Sequence, residues 1–595
     1  MKKLTLFVAQ KEKERFLFKL RALGALHVKE KYIRPSESLK DVNENKQALE
    51  KAQSALSLYA SERKEEIQNR HLGYAAILNQ AKEITSFYFE AEQLQKDMQD
   101  IRNKIEYFTA WGGFDPAGIE ELKTQGIFIK LCRVRKKDFR KVKNEQNIYL
   151  ISEDKLYAYI AVISHDAQEK INYEEVSLPK ESFEALQNQL AQYEQRKQRL
   201  GEFFKEKAYL LPGIKECALY IKNRYNFLNV SSCAQDEEGF LYMEGFCPVG
   251  EIAKVISMAK SQGAGYLIEE IDDTQQAPTL IKMPKWASII KPVFDFMNIT
   301  PGYDEYDITP FFLIFFSLFF AMLIADAGYG VLFILITLLL QKKFKKAPKQ
   351  FFRLSFVLAI ATTIWGAVTG AWFGFEKIAQ LPFFNALVIG KLNSFVDANQ
   401  NFMIFICFLI GAVHLTIAHL IAGFRIINSL RALAEAGWIL IIWGLFFTAG
   451  SLILKFNFPQ QAKYMFIVGA LLIALFQNPG KNIFKSTLVT LADLPLKIVS
   501  AFADIVSYLR LFVIGYASTI MSGIFNEMSF GMAKGSFMAG LFAAFILFFG
   551  HLLNVAMGLM AVAVHGIRLN MLEFSGHLGM QWTGRPYEPF RKEIK

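Results

Sequence analysis

Ser507-Tyr508-Leu509-Arg510-Leu511-Phe512 lies inside an apolar run from about Leu496 to Phe525. A run of that length reaches across a bilayer. It places Arg510 near its middle, where a charged residue costs about 2.5–3.5 kcal/mol on insertion scales. A residue retained at that cost faces a protein interior or a wet cavity, and it marks a candidate functional site. Helical spacing from Arg510 gives Ser500, Ala503, Ser507, Ile514, Ala517 and Met521. That face is mostly small, so a neighbouring helix can approach the guanidinium. The competing reading is structural: Arg510 pairs with an acid of a neighbouring helix and only holds the bundle together. A guanidinium pointing to lipid headgroups, or locked onto an acid of its own chain with no second subunit nearby, would overturn the functional reading.

Around this stretch the 595 residues divide into two halves. Up to about residue 300 the chain is charged and heptad-patterned, and from about 310 it is largely apolar. The formal net charge of +11 fits either nucleic-acid binding or the positive-inside bias of a membrane protein. Clustering of Lys and Arg in short loops between apolar runs fits the membrane better, and nucleic acid is not expected as a partner. Hydropathy predicts eight spans, near 310–325, 327–341, 353–374, 401–424, 432–454, 463–477, 496–525 and 536–572. The basic stretch Gln341-Lys342-Lys343-Phe344-Lys345-Lys346 marks a cytoplasmic loop. Eight spans put both termini on that side. The apolar run after Met1 is too short for a signal peptide. Cys132, Cys217, Cys233, Cys247 and Cys407 lack metal or redox spacing and read as reduced thiols.

The fold class expected is an α-helical membrane protein with about eight transmembrane helices and an N-terminal cytoplasmic dumbbell of two α+β lobes joined by an antiparallel coiled coil. Residues 1–40 and 213–277 form the proximal lobe and 112–178 the distal one. Residues 41–111 and 179–212 form the stalk, 278–309 a linker, and 310–595 the transmembrane ion-translocating domain. The stalk rests on Ile84, Phe87, Ala91, Leu94, Met98, Ile101, Ile105 and Phe108, spaced alternately by three and four. A second seam runs Phe183, Leu186, Leu190, Tyr193, Leu200 and Phe204. A helix from about 43 to 110 would be about 100 Å long.

The last span carries a second constellation. Asn554, Gly558, Ala561, His565 and Arg568 share one helix face, and Glu573 follows within two turns. A titratable His beside an Arg suits a hydrated ion path, whereas headgroup snorkelling would also explain Arg568 and Glu573. His414 and His419 read as hydrogen-bonded packing residues. Asp326, with Gly328 and Gly330, reads as a tight-turn device. The chain has no Gly-x-x-x-x-Gly-Lys-Ser/Thr phosphate loop, so it is not expected to hydrolyse ATP alone. Neither a metal motif nor a dinucleotide fingerprint is present, and no cofactor is expected.

These motifs together resemble subunit a, also called subunit I, of the V-type and A-type rotary ATPases in its shorter prokaryotic form. The resemblance covers nearly all of the chain. It rests on Pro278-Thr279-Leu280, Tyr303-Asp304-Glu305, Asp307-Ile308-Thr309-Pro310, Ala325-Asp326-Ala327-Gly328-Tyr329-Gly330, Ser507-Tyr508-Leu509-Arg510-Leu511, His565-Gly566-Ile567-Arg568-Leu569 with Glu573-Phe574, and Pro586-Tyr587-Glu588-Pro589-Phe590. It implies a stator in the cell membrane that meets a rotating proteolipid ring, peripheral stalk subunits of the E/G type and the central stalk subunit d/C. It also implies two half-channels for H⁺ or Na⁺, with Arg510 meeting the ring carboxylate and Arg568 supporting it. Ion-translocation candidates are therefore Arg510, Arg568, His565, Glu573, Ser507 and Asn554. Eukaryotic members often carry a His where this chain has Ser518. A stand-alone channel or transporter with a cytoplasmic coiled-coil sensor is the alternative.

Overall fold

Alternation builds the first strand. In β1 (Lys2–Ala9) the side chains of Leu4, Leu6 and Val8 are buried while Phe7 is exposed. The computed structural model describes the chain except residues 30–36, 60–72, 137, 140–146, 155, 166–173, 177–180, 238, 272–276, 346, 479–482, 534–536 and 594–595. It divides into two compact units. One holds residues 2–269 together with 589–593, and the other residues 270–588.

In the first unit, α1 (Lys13–Leu23) follows β1 and ends at Gly24 in the left-handed conformation. Then come β2 (His27–Val28), α2 (Glu37–Ser57), α3 (Tyr74–Trp111), α4 (Pro116–Thr124) and β3 (Phe128–Arg135). β4 (Ile148–Glu153), β5 (Tyr157–Ser164) and β6 (Glu174–Val176) complete a four-stranded sheet in the order β4-β5-β3-β6. The chain returns through α5 (Phe183–Lys207) and α6 (Leu211–Cys233). β7 (Gln235–Glu237), β8 (Phe240–Cys247), α7 (Ile252–Ser261) and β9 (Gly265–Glu269) follow. β1 lies between β8 and β9, antiparallel to both, so residues 1–9 and 240–269 share one sheet. Phe16, Leu17, Leu20, Val255 and Ala259 cover it.

The helices between the sheets correct one expectation. No single helix runs from 43 to 110, because α2 and α3 lie side by side and share Leu49, Ala52, Ala81 and Ile84 in one core. Thr85 Oγ1 donates to the Ala48 carbonyl at 2.8 Å. The part of that expected helix over 60–72 lies outside the described residues. α3 and α5 are antiparallel, joined by Arg102–Glu194 at 3.0 Å and Arg196–Glu90 at 2.6 Å. Residues 589–593, read from the sequence as part of the membrane domain, pack here instead. Phe590 N donates to Leu26 O at 2.8 Å, and Asn223 bonds both ways to the Glu593 backbone.

In the second unit, residues 278–309 do more than link. Pro278-Thr279 pairs in parallel with Arg585-Pro586, and Glu305 accepts from the backbone of Gly302, Gln581 and Trp582. The helices are α8 (Thr309–Ile324), α9 (Ala327–Lys343), α10 (Lys349–Thr369), α11 (Gln400–Arg425), α12 (Arg431–Leu454), α13 (Gln460–Phe476), α14 (Ile483–Ser507), α15 (Leu509–Met532) and α16 (Phe537–Ala561). Two π-helical turns, Val562–Gly566 and Leu569–Phe574, carry the last helix on to His577.

Among the described residues five helical segments are long and apolar enough to cross a membrane, fewer than the eight expected. They are Lys349–Thr369, Asp397–Arg425, Arg431–Leu454, Thr487–Met532 and Phe537–His577. α13 is shorter, and α8 and α9 form a pair bent by 118°. The bend has a local cause. Ala325 is left-handed, and Asp326 caps α9 by accepting from Tyr329 N. The same carboxylate accepts from the backbone of Phe373 at 2.9 Å and Gly374 at 3.0 Å. Gly328 and Gly330 admit close neighbours: a Cβ on the first would meet the Phe373 ring, and on the second would lie 2.6 Å from Thr363 N.

Burial pushes the thiols of Cys132, Cys217 and Cys247 up to about 11. The thiolate is the reactive form, so iodoacetamide at pH 8 should modify these three slowly in folded protein and fast after denaturation. Rapid modification of the folded chain, read by mass spectrometry, would contradict this packing.

Candidate functional site

The helix containing Arg510 breaks at Tyr508, two residues before it. Tyr508 N bonds to Ile505 O and Leu511 N to Tyr508 O, both tight i→i−3 contacts. The Ser507 carbonyl, which Leu511 N would satisfy in a regular α-helix, instead accepts from Arg510 Nε at 2.9 Å. The guanidinium is thus anchored to its own backbone. Its Nη2 donates to Glu573 Oε1 at 2.9 Å, and its Nη1 lies 3.5 Å from His565 Nδ1. Arg568 Nε reaches the same Glu573 oxygen at 3.4 Å.

The π turns bring the last two partners together. Residues five apart lie on roughly opposite sides of an α-helix at 3.6 residues per turn. In a turn closed by i→i+5 bonds they approach one side, and such turns are frequent at functional sites. Arg568 and Glu573 are five apart, and the second π turn lies between them. Sequence spacing alone does not disclose this geometry.

Arg510 therefore does engage an acid of its own chain, as the structural alternative requires. The charge count goes further than that alternative. Among the described residues two guanidiniums share this one carboxylate, which leaves the three side chains with a net charge of +1. The Glu573 side chain is 4% exposed, against 26% for Arg510 and 53% for Arg568. Both cations keep surface open to a further acid. A pair formed only for bundle stability would gain nothing from a second arginine, since buried ion pairs return little net energy.

The six candidates divide between two clusters. Arg510, Arg568, His565, Glu573 and Ser507 meet as described. Asn554 stands about 16 Å back along its helix from His565 and belongs elsewhere. Its amide donates to Ser518 O at 2.9 Å, Ser522 Oγ at 2.6 Å and Tyr329 Oη at 3.2 Å, and it accepts from Ser518 Oγ at 3.1 Å. Tyr329 Oη lies 2.7 Å from His551 Nδ1, and His551 Nε2 lies 3.0 Å from Asn526 Oδ1. This network joins α9, α15 and α16. Ser518 is buried, and its hydroxyl donates to Asn554. Tyr329, His551 and Asn526 were missed. Their signal was polarity at single positions of apolar helices, which periodicity does not group across separate segments.

His414 stacks between Phe315 at 3.9 Å and Phe574 at 4.3 Å, with Nδ1 2.8 Å from Tyr508 Oη. His419 is also hydrogen-bonded, to Glu435 and His577. Among the described residues no group of His, Cys, Asp and Glu could hold a metal ion.

A membrane protein with several apolar helices and a cationic cluster among them is the class this fold and site define. Residues 205–361 match the model of the V-type ATPase 116kDa subunit family. The V-type ATP synthase subunit I of Borreliella burgdorferi is 31% identical over 616 residues, covering 100% of this chain and 99% of that protein. Subunit I 1 of the Treponema pallidum V-type ATP synthase is 30% identical, with coverage of 100% and 99%. The A-type ATP synthase subunit I of Methanocaldococcus jannaschii is 26% identical over 393 residues, covering 59% of this chain and 55% of its own. The chain belongs to the V-type ATPase subunit I family.

Glu573→Gln should leave the two guanidiniums without their shared counter-charge. An uncompensated charged group of this kind costs about 1–3 kcal/mol or more. The thermal midpoint of the detergent-solubilised protein should fall accordingly, and Glu573→Asp should recover part of the loss. An unchanged midpoint for Glu573→Gln would show that the carboxylate does not hold the cluster.

Proposed function

We propose that this chain is the stator membrane subunit of a V/A-type rotary ATPase or ATP synthase. The observation that carries the reading is the net positive charge of Arg510, Arg568 and Glu573 among apolar helices. A carboxylate carried through lipid on a turning ring must be neutral, by protonation or a bound Na⁺. Beside Arg510 its charged form is favoured and the ion leaves. The guanidinium stays charged at every relevant pH, so it bars a cation from passing straight between two half-channels. Flow then has to go through rotation. His565, at the edge of the guanidinium, and Glu573, which orients both arginines, tune that encounter. The Asn554 network and the Asp326 cap fix the helices on either side.

The rest of the complex follows from this role. The proteolipid ring is the partner of the α15–α16 face. The soluble unit, with its two sheets and paired long helices acting as a stalk, holds peripheral stalk subunits of the E/G type and meets the central stalk subunit d/C. Nucleotide chemistry belongs to other subunits, because this chain has no phosphate loop. The 118° bend sends α9 back past α8. Counting α8, α9 and α13 as short crossings restores eight, with the soluble unit and the 577–593 end both cytoplasmic. The basic Lys342–Lys345 stretch fits that orientation.

Arg510→Ala in the assembled complex should abolish ATP-driven ion pumping into sealed vesicles while the complex still assembles. Arg510→Lys should retain little pumping, because a lysine lacks the fork that bonds Ser507 O and Glu573 together. Normal coupled pumping by Arg510→Ala would refute the stator reading.

A further inference from the structure

Four titratable side chains outside the arginine cluster form an unbroken hydrogen-bonded line. Glu435 Oε2 lies 2.7 Å from His419 Nδ1. His419 Nε2 lies 2.9 Å from His577 Nδ1, and His577 Nε2 lies 3.1 Å from Asp504 Oδ2. The four come from separate segments: the second turn of α12, the later half of α11, the turn that closes the last helix, and the end of α14. His419 is buried and His577 is partly buried, with side chains 6% and 12% exposed, against 24% for Glu435 and 30% for Asp504. The Trp438 ring lies parallel to His419 at 6.0 Å and walls it on one side. The line is thus less exposed in its middle than at its ends. Its far end approaches the cation site. Asp504 O accepts from Ser507 Oγ at 2.6 Å, and the Ser507 carbonyl is the one that holds Arg510.

The proton count is definite. Three bridges hold three protons. In one arrangement Glu435 is protonated, each histidine carries its proton on Nε2, and Asp504 is ionised. Moving each bridging proton one step along gives ionised Glu435, both histidines protonated on Nδ1, and protonated Asp504. Three N–H or O–H bonds break and three form. One proton has in effect passed from Glu435 to Asp504, and neither ring keeps a charge in the less exposed segment. An N···N separation of 2.9 Å holds a single hydrogen. It leaves no place for Na⁺, a hard cation that requires several oxygen ligands.

We propose that Glu435, His419, His577 and Asp504 are a proton relay serving the Arg510 site, and that this relay selects H⁺ over Na⁺. The proposal rests on the stator reading above. It assigns to His419 more than the packing role expected of it from sequence.

The test uses the assembled complex in sealed vesicles, with ATP-driven acidification and ²²Na⁺ uptake both measured. His577→Ala should lower acidification by about 100-fold or more, which begins at the lower end of the range for a lost acid–base group. Millimolar imidazole should restore part of it. N-methylimidazole, of similar shape but with one nitrogen blocked, should not. Asp504→Asn, nearly isosteric, should show the same loss and serves if the alanine variant does not assemble. Wild-type acidification by either variant overturns the relay. So does a loss that both amines restore equally, or that neither restores. Uncoupler-resistant ATP-driven Na⁺ uptake by the unaltered complex overturns it as well. Arg510→Ala is assayed in parallel. If it pumps normally the stator reading itself fails, whereas a dead Arg510→Ala beside an active His577→Ala removes the relay alone.

Discussion

One carboxylate serving two guanidiniums organises the membrane unit. A lone arginine among apolar helices is costly, and an exactly matched pair would be inert toward a partner. Glu573 steers between these outcomes. It lowers the cost of holding Arg510 and Arg568 close together, yet leaves their sum positive. The backbone irregularities around it serve the same end. The break at Tyr508 frees the carbonyl that anchors Arg510, and the second π turn swings Glu573 toward Arg568. Neither distortion favours its helix taken alone, and both are explained by the charge cluster that they assemble.

How much of this was legible beforehand differs from residue to residue. Arg510 stood out because its energetic cost can be read from one position in an apolar run. His565 and Arg568 stood out because α-helical spacing links them. Glu573 was placed near them, but its contact depends on a π turn that no periodicity encodes. Asn554 was grouped with the wrong partners. It shares a helix face with His565 and Arg568, and yet its contacts are set by Tyr329 and Ser522 from two other helices. Glu435, Asp504 and His577 went unremarked for the same reason. Glu435 and His577 sit near helix ends, where a polar residue is unremarkable, Asp504 lies inside the apolar run that holds Arg510, and only folding aligns the three. In the first unit, heptad spacing located α3 and α5 but overlooked α2, which lies against α3 instead of extending it.

The tail also joins two parts that the sequence keeps far apart. Phe590 belongs to the core of the sheet built by β1 and β8, and the Glu593 backbone is held by Asn223. These last residues leave the ribosome after every apolar helix has been made. Until synthesis has passed residue 590, the Leu26 carbonyl therefore lacks its Phe590 N–H donor and this core lacks the Phe590 ring. Full packing of the first unit thus comes late in synthesis, after the chain of the second unit has been made.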